Sequence, residues 1–223
     1  MNDILTPTLP TSVEVSVGVK KTSAITKKIN KAVKFILNYI DEIKNYIPKD
    51  AQEVQDKKVI LNCIELFPQN ILLRDNEIAH ITSSGFILNK SLSKVLMIHH
   101  NIRNTWAWTG GHADGDADLL AVATREALEE TGVNVIPIST SIASIDILTV
   151  TRHFKNKTYI NAHLHLSIAY LFTANEEDSL VVNPDENSGV EWFLIEKINE
   201  ELFTDRDVYL YSKLINRAKL WLG

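Results

Sequence analysis

Gly110-Gly111-His112-Ala113-Asp114-Gly115-Asp116-Ala117-Asp118-Leu119-Leu120-Ala121-Val122-Ala123-Thr124-Arg125-Glu126-Ala127-Leu128-Glu129-Glu130-Thr131-Gly132-Val133 is the stretch whose reading decides the fold. Two adjacent glycines end a strand-like run that begins near Trp106, and they let a ligand approach bare backbone. After a tight turn, Asp116 or Asp118 can cap a helix that runs through Leu119, Leu120, Ala123 and Ala127 to Glu130, with Gly132 as its stop. At ~3.6 residues per turn, Glu126, Glu129 and Glu130 fall within an arc of about 80 to 100 degrees. Leu120, Ala123 and Ala127 occupy the adjoining, core-facing side.

Such a stripe is locally unfavourable. Like charges at four-residue spacing repel, and Glu129 and Glu130 sit where the helix dipole is already negative. A carboxylate pair ~6 Å apart repels by about 0.7 kcal/mol in water and by about 3 kcal/mol at an effective dielectric of ~20. An open surface therefore tolerates the stripe, whereas a cleft demands a cation. Mg²⁺ takes oxygen ligands, keeps several waters and bridges to substrate phosphates, which suits carboxylates facing a glycine loop, with Mn²⁺ as an alternative ion. Arg125 stands four residues before Glu129 and can orient it. Without the glycines, a surface helix with an ordinary Glu-Glu pair reads equally well.

Outward from this stretch, the texture from residue 72 to the end alternates strand and helix. Strands are expected over Ile78 to Asn89, Lys94 to His99, Ile145 to Thr151, Ile160 to Phe172 and Val190 to Leu194. A last helix is expected over Asp205 to Leu222, capped by Asp207, with Val208, Tyr211, Leu214, Ile215, Ala218 and Leu222 inward. Ahead of residue 72, Thr6 to Val19 reads as a loose arm or a short edge strand. Ala24 to Ile47 carries isoleucines at helical spacing up to Pro48, and Ala51 to Leu66 forms a second helix with Val54, Leu61 and Ile64 on one side. Lys20, Lys21, Lys27, Lys28, Lys31, Lys34, Lys44 and Lys49 read as a solvated helix face before they read as a docking surface. The division expected is a helical lead-in over 1–70 and a second unit over 71–223.

The chain has 223 residues, 45% of them hydrophobic and 23% charged, which excludes a disordered tail and leaves room for one generous core. Lys and Arg number 23 against 28 acids, net −5, so a nucleic-acid backbone is not the expected main partner. The single cysteine, Cys63, cannot form an internal disulfide, and no stretch approaches the ~20 apolar residues of a membrane span. The opening segment lacks the continuous apolar run of a secretory signal, so a cytoplasmic location is expected. GxxxxGK[ST], GxGxxG and GxSxG are all absent, which removes the loops that a P-loop ATPase, a dinucleotide-binding oxidoreductase and an α/β-hydrolase require.

Read together, Gly111, Ala117 and Arg125-Glu126-Ala127-Leu128-Glu129-Glu130-Thr131-Gly132-Val133 at their fixed spacing resemble the Nudix box of the Nudix hydrolase family. The resemblance implies an α/β fold, an α/β/α sandwich with a mixed sheet, here preceded by a helical N-terminal extension. It implies that Glu126, Glu129 and Glu130 bind Mg²⁺ with a backbone carbonyl from Gly110 or Gly111, and that Arg125 positions them. It also implies a further acidic residue from a later loop as ligand or base. Glu186 is favoured over Glu191 for that role, although Pro184, Asn187 and Gly189 explain the same loop by turn chemistry alone. Two departures stand out: the family's first box Glu is Ala117 here, with Asp116 and Asp118 flanking the gap, and the proline often found before the glycines is Thr109.

The activity implied is Mg²⁺-dependent hydrolysis of a phosphoanhydride in a nucleoside diphosphate linked to another group. The alternative is a catalytically impaired Nudix-fold module that binds a nucleotide or regulates a partner. Trp106 and Trp108 are read as core before base-stacking groups, and Arg74, Arg103 and Arg152 as candidate pyrophosphate contacts. His163 and His165 point the same way on a strand and could join His99, His100 or His112 at zinc, a minority reading because no third ligand stands at a fixed spacing. The apolar face from Ile25 to Ile47 either folds back on the second unit or pairs with a second copy in a homodimer.

Overall fold

The computed structural model describes residues 39–155 and 157–222. The arm expected over Thr6 to Val19 and the first part of the helix expected from Ala24 lie outside the described residues. Helix α1 is described over 39–45 and stops before the expected Ile47, because the residue preceding Pro48 is sterically pushed out of helical φ/ψ. Helix α2 spans Ala51–Leu66, where Asp50 caps by accepting from the Glu53 N–H at 2.8 Å. Its inward face differs from the one expected. Val54 is half exposed, while Glu53, Ile60 and Ile64 are buried.

Among the described residues ten strands follow: β1 Ala79–Asn89, β2 Lys94–His100, β3 Thr105–Ala107, β4 Thr109–His112, β5 Ile136–Pro137, β6 Ser144–Val150, β7 His153–Lys155, β8 Thr158–Ile160, β9 His163–Ala174 and β10 Asn187–Leu194. The five long strands match the expected ones to within a few residues, with β9 starting at His163 rather than Ile160. The short strands were not legible, since two to four residues carry no periodic signal. Strands β7 and β8 form a separate hairpin. The main sheet runs β10-β2-β1-β9-β5, with β3 on β2, β4 on β1 and β6 on β9. It is mixed, because β1 and β9 pair in parallel and every other pair is antiparallel.

Every residue of β1 is buried, as a central strand covered on both faces must be. Odd-numbered β1 residues and even-numbered β9 residues, such as Ile81, Leu166 and Ile168, pack with α1, α2 and helix α3 (Leu119–Thr131). The alternate residues, such as Phe86, Leu88, Ala169 and Leu171, pack on helix α4 (Asp205–Leu222) through Leu210, Tyr211, Leu214 and Ala218. The result is the α/β/α sandwich, with the N-terminal helices in the same core as the sheet. The α4 cap is not Asp207. The Asp207 N–H donates to Thr204 Oγ1 at 3.2 Å, and the Asp207 carboxylate turns to Arg103 at 3.0 Å. Leu222, expected inward, is half exposed at the helix end.

A buried ionic network explains why α2 turns a glutamate inward. Glu53 accepts from the Tyr46 hydroxyl at 2.6 Å and from Arg217 at 3.0 Å, and Lys213 lies 3.1 Å from it and 2.7 Å from Asp146. Arg217 also donates to the Ala143 carbonyl. Burial would raise the Glu53 carboxyl, but Tyr46, Arg217, the Lys49 N–H and Lys213 together hold it below the ordinary range. The network ties α2, β6 and α4 together, and removing one member leaves buried charge uncompensated. Glu53→Ala is expected to lower the unfolding free energy by about 3–5 kcal/mol in urea titration. An unchanged midpoint would show that apolar packing alone seats the N-terminal helices.

Candidate active site

Asp118, not Asp116, caps α3 by accepting from the Ala121 N–H at 3.0 Å, and Gly132 ends it in the left-handed region at φ 74°. Leu119, Val122, Ala123 and Ala127 are buried beneath the helix, while Leu120, expected inward, is only partly covered. Two side-chain bonds fix α3 against the sheet. Ser83 Oγ on β1 donates to the Leu119 carbonyl at 2.6 Å, and Asn187 Nδ2 at the start of β10 donates to the Glu130 carbonyl at 2.9 Å.

Gly110 and Gly111 lie inside β4, opposite Ser84 and Ser83, and the turn comes later at residues 114–115. Their role is close approach. A Cβ on Gly110 would stand 2.8 Å from Ser84 Cα and 2.9 Å from the Ser83 carbonyl, and one on Gly111 would stand 2.2 Å from Glu126 Oε2. The bare backbone receives α3 on this side, and the Gly110 N–H donates to Glu130 Oε2 at 2.9 Å.

The three helix carboxylates occupy different environments. Glu130 is 3% exposed, the Glu126 side chain 14% and the Glu129 side chain 55%. Arg125 sits among acids, 3.4 Å from Glu126, 3.6 Å from Asp116 and 4.0 Å from Glu129. Asp116 thus reaches Arg125 from beside Ala117, whose methyl packs on the core. Burial pushes the Glu130 carboxyl up to about 8; the Gly110 N–H opposes the shift, and Glu186, Glu126 and Glu129 add to it. Burial also raises Glu126, which Arg125 resists and Glu129 and Glu186 reinforce. Among the described residues no Lys, Arg or His forms an ion pair with Glu130. Two oxygen-donor side chains held in a sparsely neutralised cleft fit a hard divalent ion that keeps part of its water shell.

Glu186 is exposed in the turn before β10, 3.4 Å from Asn183 Nδ2, and its charge reaches both Glu126 and Glu130. Glu191 lies within β10. Arg103 is committed to Asp207, whereas Arg74, bonded to Asp114 at 2.7 Å, feels the charges of Glu126 and Glu186. Arg152 is exposed just before β7. Trp108 is buried against Tyr211, with ring centroids 5.9 Å apart, and Trp106 packs edge-on against Phe193.

Among the described residues, the group of three metal-binding side chains whose ligand atoms all lie within 4.8 Å of one another is not the glutamate trio but His80, His163 and His165. His112 lies beside them, its ring 4.9 Å from those of His80 and His165. His99 and His100 do not join: His99 Nδ1 contacts Ser188 Oγ at 2.9 Å, and His100 Nδ1 accepts from the Ile102 N–H. His80 was missed in the sequence because it stands on a strand remote in the chain from β9.

A mixed sheet between helical layers, with an acidic helix seated on a glycine strand, defines a Nudix fold. The chain belongs to the Nudix family, since the NUDIX domain profile matches residues 79–214. A Nudix-family hydrolase from Clostridium perfringens is similar at 19% identity, with TM-score 0.45 over 61% of this chain and 96% of that one. A MutT protein from Methanosarcina mazei Go1 is similar at 20% identity, with TM-score 0.44 over 65% and 96%. A C. elegans Ap4A hydrolase is similar at 15% identity, with TM-score 0.42 over 64% and 96%. Comparison with curated proteins finds no match. Among the described residues no helix is long and apolar enough to cross a membrane.

The raised Glu130 has a thermodynamic consequence. Its proton is held to about pH 8 in the folded protein but leaves near ~4.3 in the unfolded chain. Without a divalent ion, its contribution to stability is therefore neutral below ~4.3 and grows unfavourable as pH rises to about 8, where it levels off. The unfolding free energy of the wild type minus that of Glu130→Gln is expected to fall across that window in chelator-treated protein. A flat difference would place Glu130 in a more hydrated setting.

Proposed function

We propose that the chain is a Mg²⁺-dependent hydrolase cleaving a phosphoanhydride in a nucleoside diphosphate linked to another group. One observation carries this reading: α3 holds Glu126 and Glu130 against the bare backbone of Gly110 and Gly111, where burial and the neighbouring carboxylates raise both carboxyls. Glu126, Glu130 and the more exposed Glu129, with a carbonyl from Gly110 or Gly111, would hold Mg²⁺ or Mn²⁺. Such an ion, when bound, neutralises pyrophosphate oxygens and acidifies water. Arg125 orients Glu126 and Glu129 through its ion pairs. Glu186, exposed yet electrostatically linked to both buried carboxylates, takes the proton of the attacking water as a new P–O bond forms and the anhydride P–O bond breaks.

The binding-module reading is favoured by Ala117, which cannot orient Arg125. Asp116 opposes it, since at 3.6 Å from Arg125 it supplies a carboxylate in the place the methyl leaves short.

ADP-ribose, dinucleoside polyphosphates, nucleotide sugars and nucleoside triphosphates, each with Mg²⁺ or Mn²⁺, form the test panel. At least one class is expected to be hydrolysed at a phosphoanhydride, and Glu186→Gln to lower kcat by ~10²–10⁴-fold with KM little changed. Saturable binding without turnover across the panel would overturn the hydrolase and leave the binding module. Full activity in Glu186→Gln would move the base to the helix.

A further inference from the structure

We propose that His80, His163 and His165 form a second metal site, for a late first-row divalent ion of the Zn²⁺ class, on the face of the sheet opposite the carboxylates. The parallel register of β1 and β9 sets His80 directly beside His165, and His163 lies two residues away on the same face of β9. All three ligand atoms fall within 4.8 Å of one another.

The faces separate cleanly by alternation. On β1, Ser83 bonds to α3, so His80 points the other way, with the residues that pack towards α4. On β4, Gly111 faces Glu126 and the next residue, His112, faces the histidine group. The two groups therefore lie on opposite faces of shared strands, and Arg74 carries its charge to both.

Proton placement in the rings suits ligation. His80 Nδ1 lies 3.0 Å from the Asn76 carbonyl and His163 Nδ1 lies 2.8 Å from the Asn161 carbonyl. A carbonyl can only accept, so both Nδ1 atoms carry hydrogen, and each neutral ring keeps its lone pair on Nε2. This backbone-carbonyl support is what zinc-bound imidazoles commonly receive. His80 is 3% exposed and its Nε2 has no hydrogen-bond partner, an unsatisfied buried acceptor aimed into the group. The Nε2 atoms of His163 and His165 are 3.3 Å apart. Two nitrogens bound ~2.0–2.1 Å from one tetrahedral Zn²⁺ lie about 3.3–3.4 Å apart, so this pair already has the edge length of such a site. Neutral imidazole selects Zn²⁺, Co²⁺, Ni²⁺ or Cu²⁺ over Mg²⁺, which the oxygen donors across the sheet prefer.

The test uses untagged, chelator-stripped full-length protein titrated with Zn²⁺ by calorimetry and with Co²⁺ by visible absorption. One ion per chain with a tetrahedral Co²⁺ spectrum is expected. His163→Ala and, separately, His165→Gln are expected to weaken it by at least ~100-fold, while Glu130→Gln leaves it intact. X-ray absorption on the unmutated zinc-loaded protein guards against a variant that fails to fold, and three imidazole nitrogens are expected around the ion. No stoichiometric binding, an oxygen-only shell, binding that survives both histidine substitutions, or binding lost in Glu130→Gln would each overturn the proposal.

Discussion

The approach of one helix to a strand at two adjacent glycines is the constraint on which the geometry of the candidate site depends. Any Cβ at position 110 would collide with the β1 backbone, and one at 111 would occupy the space taken by the Glu126 carboxylate. Because neither glycine carries a side chain, the Glu126 carboxylate fills the space beside Gly111 and α3 settles close enough for the Gly110 N–H to meet Glu130. The same closeness strips water from two carboxylates of like charge, which raises their affinity for protons. Ser83 and Asn187 bond to carbonyls at the two ends of α3, so the helix is held at both ends rather than hinged at one.

The sheet beneath carries two kinds of donor on opposite faces. Strand alternation sends Gly111 towards the carboxylates and His112 towards the imidazoles, and it divides Ser83 from His80 in the same way. Oxygen donors and nitrogen donors are thereby set on opposite faces of one sheet.

The N-terminal helices are joined to the domain by charge as well as by apolar contact. Ile43, Ile60 and Ile64 enter the core beside Ile81 and Leu166, while Glu53 reaches through to Arg217 and Lys213 on α4. A fully buried glutamate with two cations and a phenol is strongly directional, so it fixes the position of α2 where a weakly amphipathic helix would otherwise slide.

The sequence by itself determined the local chemistry: the capped acidic helix, its Gly132 stop, the long strands, the whole of α2 and the spacing that marks the Nudix box. These are legible because helix period, caps and strand alternation act over a few residues. Tertiary structure alone decided that Glu130 and Glu126 are buried while Glu129 is half exposed, that Asp116 rather than Asp118 meets Arg125, and that Glu53 faces inward. It alone brought His80 beside His165, because strand register joins residues far apart in the chain and leaves no spacing for a reader to find.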